Sequence, residues 1–213
     1  SGTVFSMCLT LSDFFGFCYP RELLPEMKSV DIHQGIDSTL MILDSRLKPK
    51  ADFPGIKLIK EYGDLPLVEC WAGQLNQVFL NVLSNAIDVL SDAENQKRLE
   101  KDASNYTFLP TIRIRTELLS SNCVCVRIAD NGTGMTENVK KRLFDPFFTT
   151  KPVGKGTGLG LSIGYQIVDK HHGSLRCVSA PGEGTEFWIE VPVWQESEQS
   201  VSKVSPAVGA SWN

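Results

Sequence analysis

The chain has 213 residues, of which 42% are apolar and 22% charged, the composition of an ordinary globular protein. This length fits one domain with appendages. The formal charge of −4 gives no reason to expect nucleic acid as a partner, and no apolar run reaches the 18 residues of a membrane span, so we expect no membrane contact by this chain. Six cysteines without a Cys-x-x-Cys pair favour reduced structural thiols and a cytoplasmic location, with metal or redox roles as the alternatives.

The two ends of the chain differ from the part between them. Residues 1–26 are rich in Phe, Leu and Cys, yet Asp13 interrupts the run and no basic segment precedes it, which argues against a signal peptide. Three interpretations stay open for this segment: it packs on the domain, it meets a partner, or it is the remnant of a preceding helical region. Residues 194–213 are dominated by Ser, Gln, Glu, Ala and Gly, a composition typical of a flexible tail.

The first half of the intervening segment alternates between strand and helix patterns. Residues 29–32 are predicted to form a short strand, and apolar residues at helical spacing predict a helix from Ile36 to Leu47, ended by Pro49. Residues 56–62 and 66–70 are predicted to form two further strands.

The strongest helix signal covers residues 71–90 and carries two asparagines beside its apolar face. Asn81 and Asn85 are four residues apart, so their side chains lie on the same side of the helix. They can be polar residues at the border of the core. Alternatively, their amide oxygens can ligate a hard cation such as Mg²⁺.

The next predicted strands cover residues 111–116 and 124–128, and the second of them leads into Asp130-Asn131-Gly132-Thr133-Gly134. A carboxylate at a strand end can accept a hydrogen bond from an amine, while the glycine backbone packs beside a flat ring. The same residues are also typical of a simple turn.

A glycine-rich loop follows a short predicted helix over residues 137–143. It has four glycines between Gly154 and Gly160 and is followed by a helical pattern that continues to His172 and is ended by Gly173. Free N–H groups and the dipole at the start of that helix suit a polyphosphate, although the loop has neither the P-loop nor the dinucleotide-binding spacing. A merely mobile loop is the alternative. Residues 174–179 and 186–191 are predicted to form a closing hairpin.

The order of these motifs resembles the catalytic, ATP-binding domain of sensor histidine kinases, in the gyrase–Hsp90–kinase–MutL (GHKL) superfamily. The resemblance covers residues 27–193. The residues of the F-box and G2 motifs are similar to those of nitrogen-regulator-type and cyanobacterial multi-sensor kinases. The matching boxes are the N box at 81–86, the G1 box at 130–134, the F box at 144–148, the G2 box at 156–160 and the last hairpin at 182–187.

The resemblance implies an α/β fold of the Bergerat type. This is a two-layer α/β sandwich in which a mixed, mostly antiparallel sheet carries three main helices on one face. Residues 144–157 would then form a lid that orders when nucleotide binds.

The resemblance also implies ATP and Mg²⁺ as cofactors. Asp130 would accept a hydrogen bond from the adenine amine, Gly132 and Gly134 would lend bare backbone beside it, and Thr185 would support the same edge. Asn85, with Asn81, would hold Mg²⁺. Gly158, Leu159 and Gly160 would lend backbone N–H groups to the phosphates, and Gly156 belongs to the same nucleotide-binding loop. Lys151 and Lys155 are candidates for contact with the γ-phosphate, and a merely solvated charged face of the lid is the alternative.

One substitution favours a kinase over a hydrolase within this superfamily. Its ATP-hydrolysing members carry a glutamate as general base where this chain has Asn81, which cannot take a proton at neutral pH. The resemblance therefore implies a protein-histidine kinase catalytic domain. A clamp-type ATPase or a non-catalytic nucleotide-sensing module are the alternatives.

No catalytic residue is identified, because no histidine of the chain has the setting of a phosphoacceptor. His33 lacks the acceptor's neighbours, and His171 and His172 end a helix, where capping is the simpler role. The expected partners are a helical hairpin that carries the acceptor, in the same protein or in trans, and a response regulator receiver domain.

Overall fold

The computed structural model describes residues 26–51, 53–99, 108–152, 154 and 156–195, with the side chains of 94–99 left out. The predictions for residues 1–25, for Lys155 and for 196–213 lie outside the described residues. None of the described helices is long and apolar enough to cross a membrane.

Seven strands and four helices make up the described part of the chain. In chain order they are β1 (Lys28–Val30), α1 (Ile32–Leu47), β2 (Lys57–Tyr62), β3 (Val68–Cys70), α2 (Ala72–Leu99), β4 (Thr111–Ser120), β5 (Cys123–Asp130), α3 (Glu137–Lys140), α4 (Gly160–Lys170), β6 (Ser174–Ala180) and β7 (Gly184–Val191).

Five of the strands form one mixed sheet in the order β2-β4-β5-β7-β6. Only the β2–β4 pair is parallel in this sheet; the other neighbours are antiparallel. The two remaining strands, β1 and β3, form a separate antiparallel pair. The prediction of a mixed, mostly antiparallel sheet is therefore confirmed.

The core lies between one face of this sheet and helices α1, α2 and α4. Strand β4 shows why the sheet is covered on one side, since Ile112 and Ile114 are fully buried while the alternating residues Arg113 and Arg115 are exposed. From the helices, residues such as Phe79 of α2 complete the same cluster. The result is the predicted two-layer sandwich, which leaves the carboxyl end of β5 open beside α2.

Helix α1 starts earlier than the sequence pattern predicted. Asp31 is its N-cap and accepts a hydrogen bond from the His33 backbone N–H at 2.8 Å. The helix therefore begins at Ile32, and the predicted strand over 29–32 is shorter, ending at Val30. The predicted end is confirmed, because Lys48 is already extended before Pro49.

The later helices also differ from their predicted bounds. Helix α2 extends beyond the predicted end at Leu90 to Leu99, and Ala93 is still buried in the core. Helix α4 ends at Lys170, and the left-handed residue after it is His172 (φ +55°) rather than the glycine that follows. Gly173 is required for another reason, because a Cβ there would lie 2.2 Å from the Glu190 carbonyl oxygen.

Four of the six cysteines lie within the described residues, and all four are free. Cys70 and Cys125 are buried, and burial raises the pKa of each thiol to about 11. Thiols with such pKa values stay protonated at neutral pH, which agrees with the predicted structural role.

Candidate nucleotide-binding site

A cavity of about 340 Å³ lies between α2, the end of β5, the F-box segment and the start of α4. It collects nine of the residues predicted from the sequence. These are Asn81, Asn85, Asp130, Gly134, Lys151, Gly156, Gly158, Gly160 and Thr185. Two other predicted residues do not line it: Leu159 lies in the chain between the lining residues Gly158 and Gly160, and Gly132 donates a hydrogen bond to the lining residue Asp130.

Asp130 is the last residue of β5 and presents its carboxylate at the edge of the sheet. One oxygen accepts a hydrogen bond from the Gly132 N–H at 2.9 Å. Burial raises the pKa of this carboxyl from 3.8 to about 6, while hydrogen bonds from the backbone of Gly132 and Thr185 act in the opposite direction. At neutral pH the site therefore offers a half-buried, ionised acceptor of the kind that an amine donor can satisfy.

The turn after Asp130 has no room for a side chain at either of its two glycines. A Cβ on Gly132 would lie 2.5 Å from Cγ1 of Val89 and 2.8 Å from the Asp130 carboxylate. Gly134 has a φ of +66°, and a Cβ there would lie 2.0 Å from the Ala180 carbonyl oxygen. These two glycines bring the backbone against α2 and β6 and so keep the carboxylate accessible from the cavity.

Ser179 holds this end of the site together, and no pattern in the sequence singles it out. Its buried hydroxyl donates a hydrogen bond to the Gly184 carbonyl at 2.8 Å and accepts one from the Met135 N–H at 2.9 Å. It also contacts the Thr185 hydroxyl at 3.0 Å. Since the Ser179 proton goes to Gly184, Thr185 is the donor in that last contact. Ser179 thus links β6, β7 and the loop after β5 at one point.

The predicted asparagines lie on the opposite wall, on α2, and both make specific contacts. The Asn81 amide nitrogen donates to the Gly160 carbonyl at 2.8 Å, so the group that it can offer a ligand is its amide oxygen. The Asn85 amide oxygen accepts a hydrogen bond from Nζ of Lys151 at 3.3 Å. Neither residue merely borders the core.

The start of α4 faces the same cavity, and the N–H groups of its first turn have no partner within the helix. Its N-cap residue is Leu159, and no side chain caps the helix there. Gly158, with a φ of +65°, precedes it, and a Cβ at that position would lie 2.4 Å from the Phe147 carbonyl carbon. This end of an 11-residue helix can therefore bind an anion through its backbone and its dipole.

The segment just after the F box lines the cavity with Lys151, whose side chain is held by Asp88, a residue that the sequence analysis did not predict. Nζ of Lys151 lies 2.5 Å from Oδ2 of Asp88, and the other oxygen of Asp88 pairs with Arg46 of α1. The only signal in the sequence was the spacing, since Asp88 follows Asn85 by three residues on α2.

Apolar side chains line the space between the two polar ends. Val89 of α2, Met135, Val139 and Leu143 contribute to this wall. They make a slot that suits a flat apolar ring. In the sequence these four residues have the pattern of ordinary core positions, so they could not be recognised as part of a site.

Residues 72–195 match the family model described as "Histidine kinase-, DNA gyrase B-, and HSP90-like ATPase". This chain belongs to that family. The match covers more than half of the chain and includes the residues at both polar ends of the cavity, so the chain contains an ATP-binding domain of the histidine kinase type.

The similar proteins include named kinases. Sporulation kinase E of Bacillus subtilis is 33% identical over 190 residues, which cover 89% of this chain and 22% of that protein. The signal transduction histidine-protein kinase AtoS of Escherichia coli is 30% identical over 187 residues, 87% of this chain and 27% of that protein. The chain thus spans about a quarter of the length of these relatives.

A solved structure supports the fold assignment. The catalytic domain of histidine kinase ThkA superposes with a TM-score of 0.62 at 28% identity, covering 79% of this chain and 96% of that one. The predicted α/β sandwich is confirmed by this likeness. The narrower resemblance to nitrogen-regulator-type or cyanobacterial kinases stays a prediction.

Proposed function

We propose that this domain binds MgATP and transfers its γ-phosphoryl group to a histidine on a separate helical hairpin, from which it passes to a response regulator receiver domain. The observation that carries this proposal is that one cavity has a half-buried carboxylate at one end and a helix start without a side-chain cap at the other. An adenine amine fits the first and a triphosphate fits the second.

The adenine end of the proposal depends on Asp130. Its ionised carboxylate would accept the N6 amine, and the tight Gly132–Gly134 turn would let backbone approach the ring edge beside Thr185. An ionised carboxylate is costly in this half-buried site even with the Gly132 N–H as donor, and an amine hydrogen would offset part of that cost. This fit supports a purine that carries an exocyclic amine.

The phosphate end would use the α4 start and the two asparagines. Backbone N–H groups around Gly158, Leu159 and Gly160 would bind phosphate oxygens, with Gly156 in the same loop. The amide oxygens of Asn85 and Asn81 would hold Mg²⁺. Mg²⁺ prefers oxygen ligands of this kind. The amide oxygen of Asn85 already contacts one cation, the ammonium group of Lys151. When bound, Mg²⁺ would neutralise charge on the phosphates.

The two lid lysines, Lys151 and Lys155, would reach the γ-phosphate once nucleotide is present. The described part of the lid supports this role for Lys151, whose side chain lines the cavity. The cation would stabilise the charge that develops on the transferred group.

Transfer to a protein acceptor is favoured over hydrolysis because Asn81 offers no base. Its amide nitrogen is held by the Gly160 carbonyl, and its oxygen cannot take a proton at neutral pH. Water near the γ-phosphate would thus have no general base at this position, whereas phosphoryl transfer needs chiefly positioning and charge stabilisation.

The acceptor is proposed to lie on another region, because two histidines of this domain are engaged structurally. Nε2 of His33 contacts the Thr116 hydroxyl at 2.8 Å, and its ring stacks on Tyr62. His171 is fully buried, with Nδ1 at 2.7 Å from the Ile167 carbonyl and Nε2 accepting from the Trp71 N–H at 3.1 Å. A cytoplasmic location is part of the proposal, supported by ATP as cofactor and by the free cysteines.

The test is to mix the domain with γ-labelled ATP, Mg²⁺ and a panel of acceptor hairpin domains. We expect acid-labile phosphohistidine on one of the hairpins and none with Asp130→Asn. Steady phosphate release by the domain alone would favour a hydrolase instead. ATP binding without transfer to any hairpin would favour a non-catalytic nucleotide sensor.

A further inference from the structure

One carboxylate, that of Asp88, links the lid to two helices. Asp88 lies on α2, one turn after Asn85. Its Oδ2 is 2.5 Å from Nζ of Lys151 in the lid, and its Oδ1 pairs with Arg46 of α1. Each oxygen of this carboxylate therefore has its own cation.

The lysine in this pair also occupies the proposed metal ligand. Nζ of Lys151 is 3.3 Å from the Asn85 amide oxygen while it contacts Asp88. Two cations at one amide oxygen repel each other strongly at such distances. A divalent ion can therefore reach Asn85 only after the lysine has moved away.

We propose that Asp88 is a positioning residue that holds Lys151 across the nucleotide site before MgATP binds and releases it to the γ-phosphate on binding. The inference rests on the proposed function. It adds that Asp88 and the γ-phosphate compete for the ammonium group of Lys151, which binds one of them at a time. Arg46 makes the exchange feasible, because Asp88 keeps one cation after Lys151 leaves and so is not left as an unpaired charge.

The contacts are weak enough to be exchanged. The side chains of Lys151, Asp88 and Arg46 are 25%, 35% and 38% exposed, so water screens the pairs. Ion pairs of this exposure contribute little to stability, and the loss of one changes a competing equilibrium by about two- to fivefold.

The test uses Asp88→Asn, an isosteric change, with Asp92→Asn as the matched control. Asp92 is an exposed carboxylate one turn further along α2, so its substitution removes the same charge from the same helix. Dissociation constants for MgATP and MgADP are measured by calorimetry for the wild type, both single variants, Lys151→Gln, and the Asp88→Asn/Lys151→Gln double variant.

We expect Asp88→Asn to bind MgATP about two- to fivefold tighter, with a smaller change for MgADP, which lacks the γ-phosphate. The gain should disappear in the Lys151→Gln background, since Asp88 acts through that lysine. Asp92→Asn should leave the ATP-to-ADP ratio unchanged.

Hydrogen exchange of residues 144–152 gives a second readout that does not depend on transfer. Without nucleotide, Asp88→Asn should exchange faster in this segment than the wild type, and saturating MgATP should remove the difference. Weaker or unchanged MgATP binding by Asp88→Asn, or a gain that persists without Lys151, would overturn the proposal while leaving ATP binding by the wild type intact. Failure of the wild type to bind ATP would overturn both this inference and the proposed function.

Discussion

Replacing Asp130 by Asn should stabilise the nucleotide-free domain at neutral pH while it removes ATP binding. The asparagine oxygen can still accept the Gly132 N–H, so the local geometry is kept. The ionised carboxylate disappears, and with it the cost of holding a charge in a half-buried site. Residues that are needed for ligand binding often lower the folding stability of the ligand-free protein in this way.

The size of the effect follows from the pKa of Asp130. Burial raises this pKa to about 6, from 3.8 in the unfolded chain. Because the folded-state pKa is the higher one, the stabilising contribution is present in full below pH 3.8 and is lost as the pH rises through about 6. At pH 8 the wild type is therefore penalised by about 3 kcal/mol relative to acid conditions, and Asp130→Asn is not.

Urea unfolding followed by circular dichroism between pH 4 and pH 8 measures this difference. The advantage of Asp130→Asn over the wild type should grow by about 2.5 kcal/mol across that range, most steeply between pH 4 and pH 6. Asp92→Asn removes an exposed carboxylate and controls for net charge. A difference between Asp130→Asn and the wild type that does not vary with pH would refute the reasoning.

Three further predictions concern other positions. Gly158→Ala should weaken MgATP binding about tenfold by calorimetry, since a Cβ would strike the Phe147 backbone at a φ of +65°; unchanged affinity would contradict the assigned loop geometry. Ser179→Ala should lower the unfolding free energy by about 1 to 3 kcal/mol in urea, because the Met135 N–H and Gly184 carbonyl lose their partner; a neutral result would count against this network. Burial lowers the pKa of His171 below 6.5, so its stabilising effect is complete above pH 6.5 and falls at lower pH. The deficit of His171→Gln in urea unfolding should therefore shrink between pH 7 and pH 5, and a constant deficit would speak against a buried neutral ring.

The sequence predicted those parts of the fold that local patterns control. Alternation in β4 and the long apolar face of α2 both correspond to one buried side, so their existence and orientation could be read directly. The ends of helices and strands were less predictable where a capping residue or a tertiary contact determines them. Asp31 ends β1 early because it caps α1, and Gly173 follows α4 because of the nearby β7 backbone.

The site divides in the same way. Asp130 and the glycines were predictable because chemistry and spacing mark them in the sequence. Ser179 was not, since its importance comes from the folding of β6 against the loop after β5. Asp88 was missed because its partners, Arg46 and Lys151, are distant in sequence and only the folded chain brings them together.

The central claim is that the carboxylate of Asp130 receives the amine of a purine ring. Titrating the wild-type domain with MgATP and with magnesium inosine triphosphate, which has an oxygen in place of that amine, tests it directly. We expect ATP to bind at least about tenfold tighter, because the inosine oxygen would face an ionised carboxylate without a donor. Equal affinities for the two nucleotides would contradict the account.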